Sequence, residues 1–347
     1  MSNLYISTYP ATYRVDLCNT LCGRLGCKIY HYVPVECEDA VLEAATFEPN
    51  RLPVGRLLGK SYAKGLKGLL DRERPEWIMV QEYSLITLRL LCLRRRYGYK
   101  VVAMSDDSLD MIRGNDFSWT HRLARRVVPR YLDEIVLHSP DVCDWYRAHF
   151  GKGLFLPILA DERRFRHELE RALPLAADLR PGPKPIVAFV GRLVGLKNIP
   201  VLVRAFEPFK ERAQLVIIGD GPEMGALKEM APYAFFTKAL YRERLRAWYN
   251  LIDILVIPSM REAYGAVTGE ALMAGAKVVV SRKAGSSSLV REGVNGYLVN
   301  PMDPNDISRR IGDLLDTLSS GRPLCLRGSL LPFRFEDCID NLIDYLS

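Results

Sequence analysis

Four side chains in the second half of the chain have the types and spacing to hold a ligand that carries both negative charge and hydroxyl groups. Arg192 and Lys197 follow the apolar run Ile186–Val190, and Glu262 and Glu270 follow a second such run, Ile254–Ile257. A guanidinium offers a planar fork of donors and an ammonium a compact point charge, which together suit an anion spread over several oxygens. Two carboxylates eight residues apart admit two uses, as an acid/base pair or as acceptors for hydroxyl groups. Beside two cations the second use fits better, with the charge of a reaction handled by Arg192 and Lys197. Each pair taken alone is unremarkable. Loop cations are ordinarily solvated, and a chain with 41 acidic residues brings carboxylates to this spacing by chance. The order of the surrounding elements is what singles them out.

Ile186–Val190 (IVAFV), Gln214–Ile218 (QLVII), Ile254–Ile257 (ILVI) and Lys277–Ser281 (KVVVS) read as buried strands, with a short apolar stretch near Ala234–Phe236. The pattern places helices from about Asn198 to Phe209, over 223–230, from about Arg242 to Leu251, and after Val299. Four strand ends open into loops of Gly, Arg, Lys, Glu or Ser, where open α/β sheets bind ligands. Ile254–Gly275 is the most informative stretch: a strand, a loop with Glu262 and Gly265, then a helix start carrying Glu270. Such a helix start favours an anionic ligand. Gly219-Asp220-Gly221 is a tight strand-to-helix turn and not a dinucleotide fingerprint. Arg180–Pro185 (RPGPKP) reads as the end of a linker.

The first half alternates in the same way. Asn3–Thr8, Lys28–Val33, Trp77–Gln81, Val101–Met104, Glu134–His138 and Leu154–Ile158 read as strands. Helices are expected over Val15–Leu25, about Tyr62–Arg74, Leu85–Tyr97 and Pro140–Phe150, and 34–59 is irregular by pattern. The fold class is therefore α/β, with two doubly wound, Rossmann-like domains and a cleft between them. The expected division is 1–162, 163–332, and a C-terminal helix in 333–347 returning to the first domain.

The chain of 347 residues is long enough for two domains, and 48% hydrophobic with 26% charged residues is a globular composition. Of the net +7, residues 1–170 hold 25 basic and 22 acidic side chains, so no single basic domain points to nucleic acid. The N-terminus lacks a basic-then-apolar leader, and no uninterrupted apolar run is long enough to span a bilayer. Eight cysteines without a CxxC pair fit a reduced, cytoplasmic setting. Cys18, Cys22 and Cys27 are expected to pack as small hydrophobes, and no metal site is expected.

Segment 112–130 interleaves Arg113, Arg122, Arg125, Arg126 and Arg130 with Trp119, Leu123 and Val127. One reading is a solvated helix face. The other is a surface that lies on anionic lipid head groups, as a peripheral membrane protein would.

Residues 186–312 closely resemble the nucleotide-binding domain of the large retaining glycosyltransferase family called group 1 or family 4, which has the GT-B fold. The resemblance rests on FVGRLVGLKNIPVLVRAF, LVIIGDGPEMGALK, PSMREAYGAVTGEALMAGAKVVVS and REGVNGYLV. The first half is similar in architecture only. The resemblance implies that Arg192 and Lys197 bind the diphosphate of a nucleotide-sugar donor and stabilise the departing phosphate. Glu270 would hold the ribose hydroxyls and Glu262 those of the sugar. Gly191 and the backbone of Ala263, Tyr264, Gly265, Ala266 and Val267 would complete the donor site. It also implies no cofactor and no metal. The acceptor would be a saccharide or lipid-linked saccharide of a surface polysaccharide.

The chain departs from the family pattern in three places. Pro10-Ala11-Thr12-Tyr13 stands where many relatives have Gly-Gly, and Ser105-Asp106-Asp107 where a His is common. Ser288 replaces a Glu. Tyr13, Asp106 and Asp107 are accordingly assigned to the donor-sugar and acceptor side. A strand-end Asp capping a helix is the competing reading for either aspartate. Two other functions share the donor residues: a sugar-nucleotide epimerase or hydrolase of the same fold, and a non-catalytic donor-binding subunit of a glycosylation complex.

Overall fold

The computed structural model describes residues 3–8, 11–32, 44–57, 60–113, 119–318 and 323–347. Pro10, the first part of the stretch read as irregular, and 114–118 of the basic segment lie outside them. The chain divides into unit 1, Met1–Ala160 with Phe335–Ser347, and unit 2, Asp161–Arg334.

Unit 1 is built on seven parallel strands in the order β3-β2-β1-β6-β7-β8-β9. They are β1 (Leu4–Ser7), β2 (Lys28–His31), β3 (Asn50–Arg51), β6 (Trp77–Gln81), β7 (Lys100–Ser105), β8 (Glu134–Leu137) and β9 (Leu154–Phe155). β1 and the first four residues of β6 are buried throughout, as a parallel sheet covered on both faces requires. Helices end where the chain can turn left-handed: Val15–Leu25 at Gly26 and Leu85–Tyr97 at Gly98. The latter begins with a capping box between Ser84 and Thr87.

Two expectations for this unit are corrected. The region read as irregular, 34–59, holds β3 and β4 (Val54–Leu57), and β4 pairs antiparallel with β5 (Lys60–Ala63) just beyond it. The helix expected from Tyr62 starts at Leu66, because 62–63 pair in the hairpin and Gly65, at φ 73°, breaks the path into the helix.

Unit 2 has six parallel strands in the order β12-β11-β10-β13-β14-β15. These are β10 (Ile186–Val190), β11 (Gln214–Ile218), β12 (Phe235–Thr237), β13 (Ile254–Ile257), β14 (Lys277–Ser281) and β15 (Gly296–Val299). β10 pairs with β11 on one side and β13 on the other. The connections therefore reverse direction at β10/β13, the position where open α/β sheets leave a crevice. Val187, Phe189, Leu215, Ile217, Val256 and Val279 form the core of one face with Ile199, Leu202 and Phe206 from the helix Ile199–Phe206. The Pro/Gly stretch 180–185 is not a link between units. It follows the helices Glu162–Arg171 and Leu173–Leu179, which pack on the helix Arg242–Leu251 within unit 2. No helix among the described residues is long and apolar enough to cross a membrane.

Candidate active site

Arg192 and Lys197 lie in the loop that leaves β10, and Glu262 in the loop that leaves β13, so strand pairing brings them to the same sheet edge. The loops are joined by backbone: the Met260 amide donates to Leu196 O at 2.9 Å. Asn198, left-handed at φ 55°, donates its side-chain amide to Pro258 O (3.3 Å) and Pro301 O (2.6 Å). The β11 loop closes against them. A Cβ on Gly219 would stand 1.8 Å from Gly191 O, so only glycine permits this approach. The Gly191 amide is spent on Ile218 O at 2.9 Å, so this residue shapes the loop and does not offer a donor outward.

The structure brings two of the expected residues into direct contact. Lys197 Nζ forms an ion pair with Glu262 Oε2, the side chains being 18% and 16% exposed. Ser259 Oγ stands 3.5 Å from the same oxygen. Arg192 is exposed and its side chain has no ion pair or hydrogen bond among the described residues. Cation and carboxylate thus neutralise each other at the edge of a solvent-open loop, with a second cation, Arg192, uncommitted five residues before Lys197.

The loop between Glu262 and the helix Val267–Met273 is held from below. Gly285 N donates to Glu262 O (3.2 Å) and Ser286 N to Tyr264 O (2.8 Å), while Ser286 Oγ meets Thr268 Oγ1 at 2.9 Å. Gly265 sits at φ 90°, where a side chain would press on Glu262 and Ser286. The amides of Gly265, Ala266 and Val267 have no acceptor among the described residues, while Tyr264 is buried. Ser288, at the position of the family Glu, donates to Gly285 O at 3.3 Å and so serves its own turn.

Glu270 is 23% exposed, and two residues invisible to motif reading fix it. Tyr249 Oη donates to Glu270 Oε2 at 2.5 Å, and Arg246 Nη1 lies 3.8 Å from Oε1. Burial, with the Glu270 charge beside it, pushes the Tyr249 hydroxyl well above the ordinary phenol range, so it stays a donor. Arg246 stacks over the Phe165 ring at 4.2 Å and binds Glu168 at 2.7 Å. The sequence signal for this support was the amphipathic helix Arg242–Leu251, but nothing in it names Glu270 as its partner.

In unit 1 the two aspartates after β7 separate in role. Asp107 does not face a ligand, contrary to expectation. Its carboxylate is 1% exposed, accepts from Arg125 Nε (2.9 Å) and Tyr146 Oη (2.7 Å), and is spent inside the unit. Neither aspartate caps the next helix, since Ser108 Oγ takes the Met111 amide at 3.2 Å. Asp106 is 22% exposed and pairs through Oδ1 with Arg14 and with His138 Nε2, the latter at 2.9 Å. Its Oδ2 has no partner among the described residues. Burial acts to raise this carboxyl, but the His138 hydrogen bond and the Arg14 charge outweigh it and hold it well below the usual carboxylate range. His138 Nδ1 lies 2.7 Å from Leu156 O, so both ring nitrogens face acceptors. Tyr13 is 38% exposed beside Arg14, whose guanidinium carbon lies 5.6 Å from its ring centre.

Trp119, Leu123 and Val127 stand 69%, 53% and 41% exposed along the helix Trp119–Val127, with Arg122 and Arg126 also exposed. Arg125 is not part of that face, because it turns inward to Asp107. Among the described residues no three His, Cys, Asp or Glu side chains are grouped to hold a metal ion.

These two Rossmann-like units are those of the GT-B fold, and solved structures align with the whole chain. HepE from Anabaena in complex with UDP superposes with a TM-score of 0.76 at 15% identity, covering 100% of this chain and 99% of that one. Sucrose-phosphate synthase from Thermosynechococcus elongatus gives 0.74 at 17% identity, covering 100% and 99%. Residues 184–317 match the family model of glycosyl transferases group 1. A GDP-mannose-dependent alpha-mannosyltransferase of Corynebacterium glutamicum is 38% identical over 156 residues, 45% of this chain and 36% of the relative. A D-inositol 3-phosphate glycosyltransferase of Catenulispora acidiphila is 33% identical over 218 residues, 58% and 48% of the two chains. The chain thus spans less than half the length of these curated relatives.

Proposed function

We propose that the chain is a retaining, metal-independent glycosyltransferase that moves a sugar from a nucleoside diphosphate sugar to a saccharide or lipid-linked saccharide acceptor in surface polysaccharide synthesis. The observation that carries this is the ion pair of Lys197 and Glu262 where the strand order reverses, with Arg192 exposed in the same loop as Lys197 and Glu270 fixed by Tyr249. Arg192 and Lys197 bind the diphosphate and stabilise the negative charge that grows on it as the glycosidic bond breaks. Glu262 accepts from hydroxyls of the sugar and Glu270 from those of the ribose. The amides of Gly265, Ala266 and Val267 support the sugar or the phosphate.

In the reaction the acceptor hydroxyl attacks the anomeric carbon on the face that the nucleotide leaves. A carbon–oxygen bond to the acceptor forms, the bond to phosphate breaks, and the leaving phosphate takes the acceptor's proton. No carboxylate nucleophile is required, in contrast to the paired carboxylates of glycosidases. In unit 1, Asp106 offers Oδ2 to a hydroxyl, with Tyr13 beside it. Relatives named for GDP-mannose and a structure containing UDP support a nucleoside diphosphate as the carrier.

The helix Trp119–Val127 supports an acceptor presented at an anionic membrane, with Trp119, Leu123 and Val127 entering the interface and Arg122 and Arg126 meeting head groups. The Arg122→Glu/Arg126→Glu protein should lose affinity for vesicles containing anionic lipid, and unchanged affinity removes the membrane from the reading. A thermal-shift panel of UDP-, GDP-, ADP- and CMP-sugars tests the donor site. Binding to the folded state raises the midpoint by mass action, and no shift with any of them refutes the donor reading.

A further inference from the structure

The ion pair between Lys197 and Glu262 joins two groups that the proposed function assigns to different parts of one donor, the diphosphate and the sugar. The loops that carry them do not depend on it. They are tied by Met260 N to Leu196 O, by Asn198 to Pro258 O and Pro301 O, and by Gly285 N to Glu262 O. The pair is also only partly exposed, so opening it without a replacement leaves a poorly hydrated charge.

We infer that Glu262 occupies Lys197 as an internal stand-in for phosphate, and that this pair makes the site prefer an intact sugar nucleotide over the nucleoside diphosphate it yields. The inference rests on the donor-site reading above. A nucleoside diphosphate alone draws Lys197 onto its phosphates and strands the Glu262 carboxylate. A sugar nucleotide engages Lys197 with the same phosphates and gives Glu262 hydroxyl donors from the sugar, so both halves of the broken pair are matched. Once the sugar has been transferred, Glu262 loses its donors and competes again for Lys197. The pair thus assists release of the nucleotide product.

Titration calorimetry with GDP, UDP, GDP-mannose and UDP-glucose tests this on the full chain and on Glu262→Gln. The glutamine keeps the shape and a hydroxyl partner but cannot pair as an ion. Relative to the native chain, it should bind the nucleoside diphosphate roughly three- to tenfold tighter and lose most of its preference for the sugar nucleotide. Unchanged or weaker binding of the nucleoside diphosphate overturns the inference. In a Lys197→Met background, Glu262→Gln should leave nucleoside diphosphate affinity unchanged, since no pair remains to be opened. A gain there as well would assign the effect to something other than the ion pair and overturn it too. If the native chain binds none of the four ligands, the donor-site reading falls and this inference with it. If it binds them and Glu262→Gln gains nothing, only the inference falls.

Discussion

At the carboxyl edge of unit 1 the two aspartates that follow β7 are matched inside the protein. Asp107 is enclosed by Arg125 and Tyr146, and Asp106 is clamped through one oxygen by Arg14 and His138. At the same edge of unit 2, Arg192 is open to solvent and the Lys197–Glu262 pair is part-exposed. The two sheets therefore use their charge differently: one spends it inside the protein, and the other leaves it at a solvent-open edge. The family match falls on unit 2 alone.

The largest effect that could break this contrast belongs to unit 1. Asp107→Asn leaves Arg125 without its countercharge in a buried setting, and a loss of about 3 kcal/mol is expected in denaturant unfolding. A loss within error would mean that Asp107 is not structural. Next comes Lys197→Ala, expected to slow sugar transfer about 100-fold, as removal of one stabilising charge at a leaving group does, with little change in melting temperature. A comparable loss of stability would move unit 2 towards the structural use seen in unit 1. Tyr249→Phe removes a hydrogen bond to a carboxylate worth about 1.5 kcal/mol, so donor affinity measured by calorimetry should fall about tenfold. The smallest effect concerns acid. Asp106 has a lowered pKa in the folded chain, so its contribution is present above the unfolded value near pH 4 and is lost as pH falls through the folded value. Asp106→Asn should flatten that acid limb in a pH series of melts, and an identical limb would disconnect Asp106 from its clamp.

The strands of both sheets were legible because IVAFV, QLVII and KVVVS are apolar and β-branched along their whole length, as burial on both faces demands. The hairpin of VGRL and KSYA was not, since a short pair with glycine and lysine carries no strong period. The candidate donor-site residues were picked out from types set at successive strand ends, and the structure brings Lys197 and Glu262 among them into contact. Other partners were not legible. Arg14 meets Asp106 across 92 positions and His138 across 124, and only the sheet order puts those strand ends together. Arg125 shows the limit on one helix. Its neighbours at 122 and 126 face solvent, whereas Arg125 turns inward to Asp107, a partner 18 residues away that the helix pattern does not name.

Unit 2 is one continuous segment, 161–334, whereas unit 1 is assembled from two, with Phe335–Ser347 returning after unit 2 is complete. The helix Phe335–Leu346 supplies Phe335 and Ile339 to a recess that Leu17 also lines, and Asp340 to an ion pair with Arg24. On a ribosome the order of completion is then the reverse of the order of synthesis. The part of unit 1 that precedes unit 2 waits, with Leu17 and its neighbours uncovered, until 335–347 arrives. Unit 2 can close its core in the meantime. A nascent chain stopped near residue 334 would present unit 2 closed and unit 1 unfinished, and holding chaperones would have unit 1 as their client.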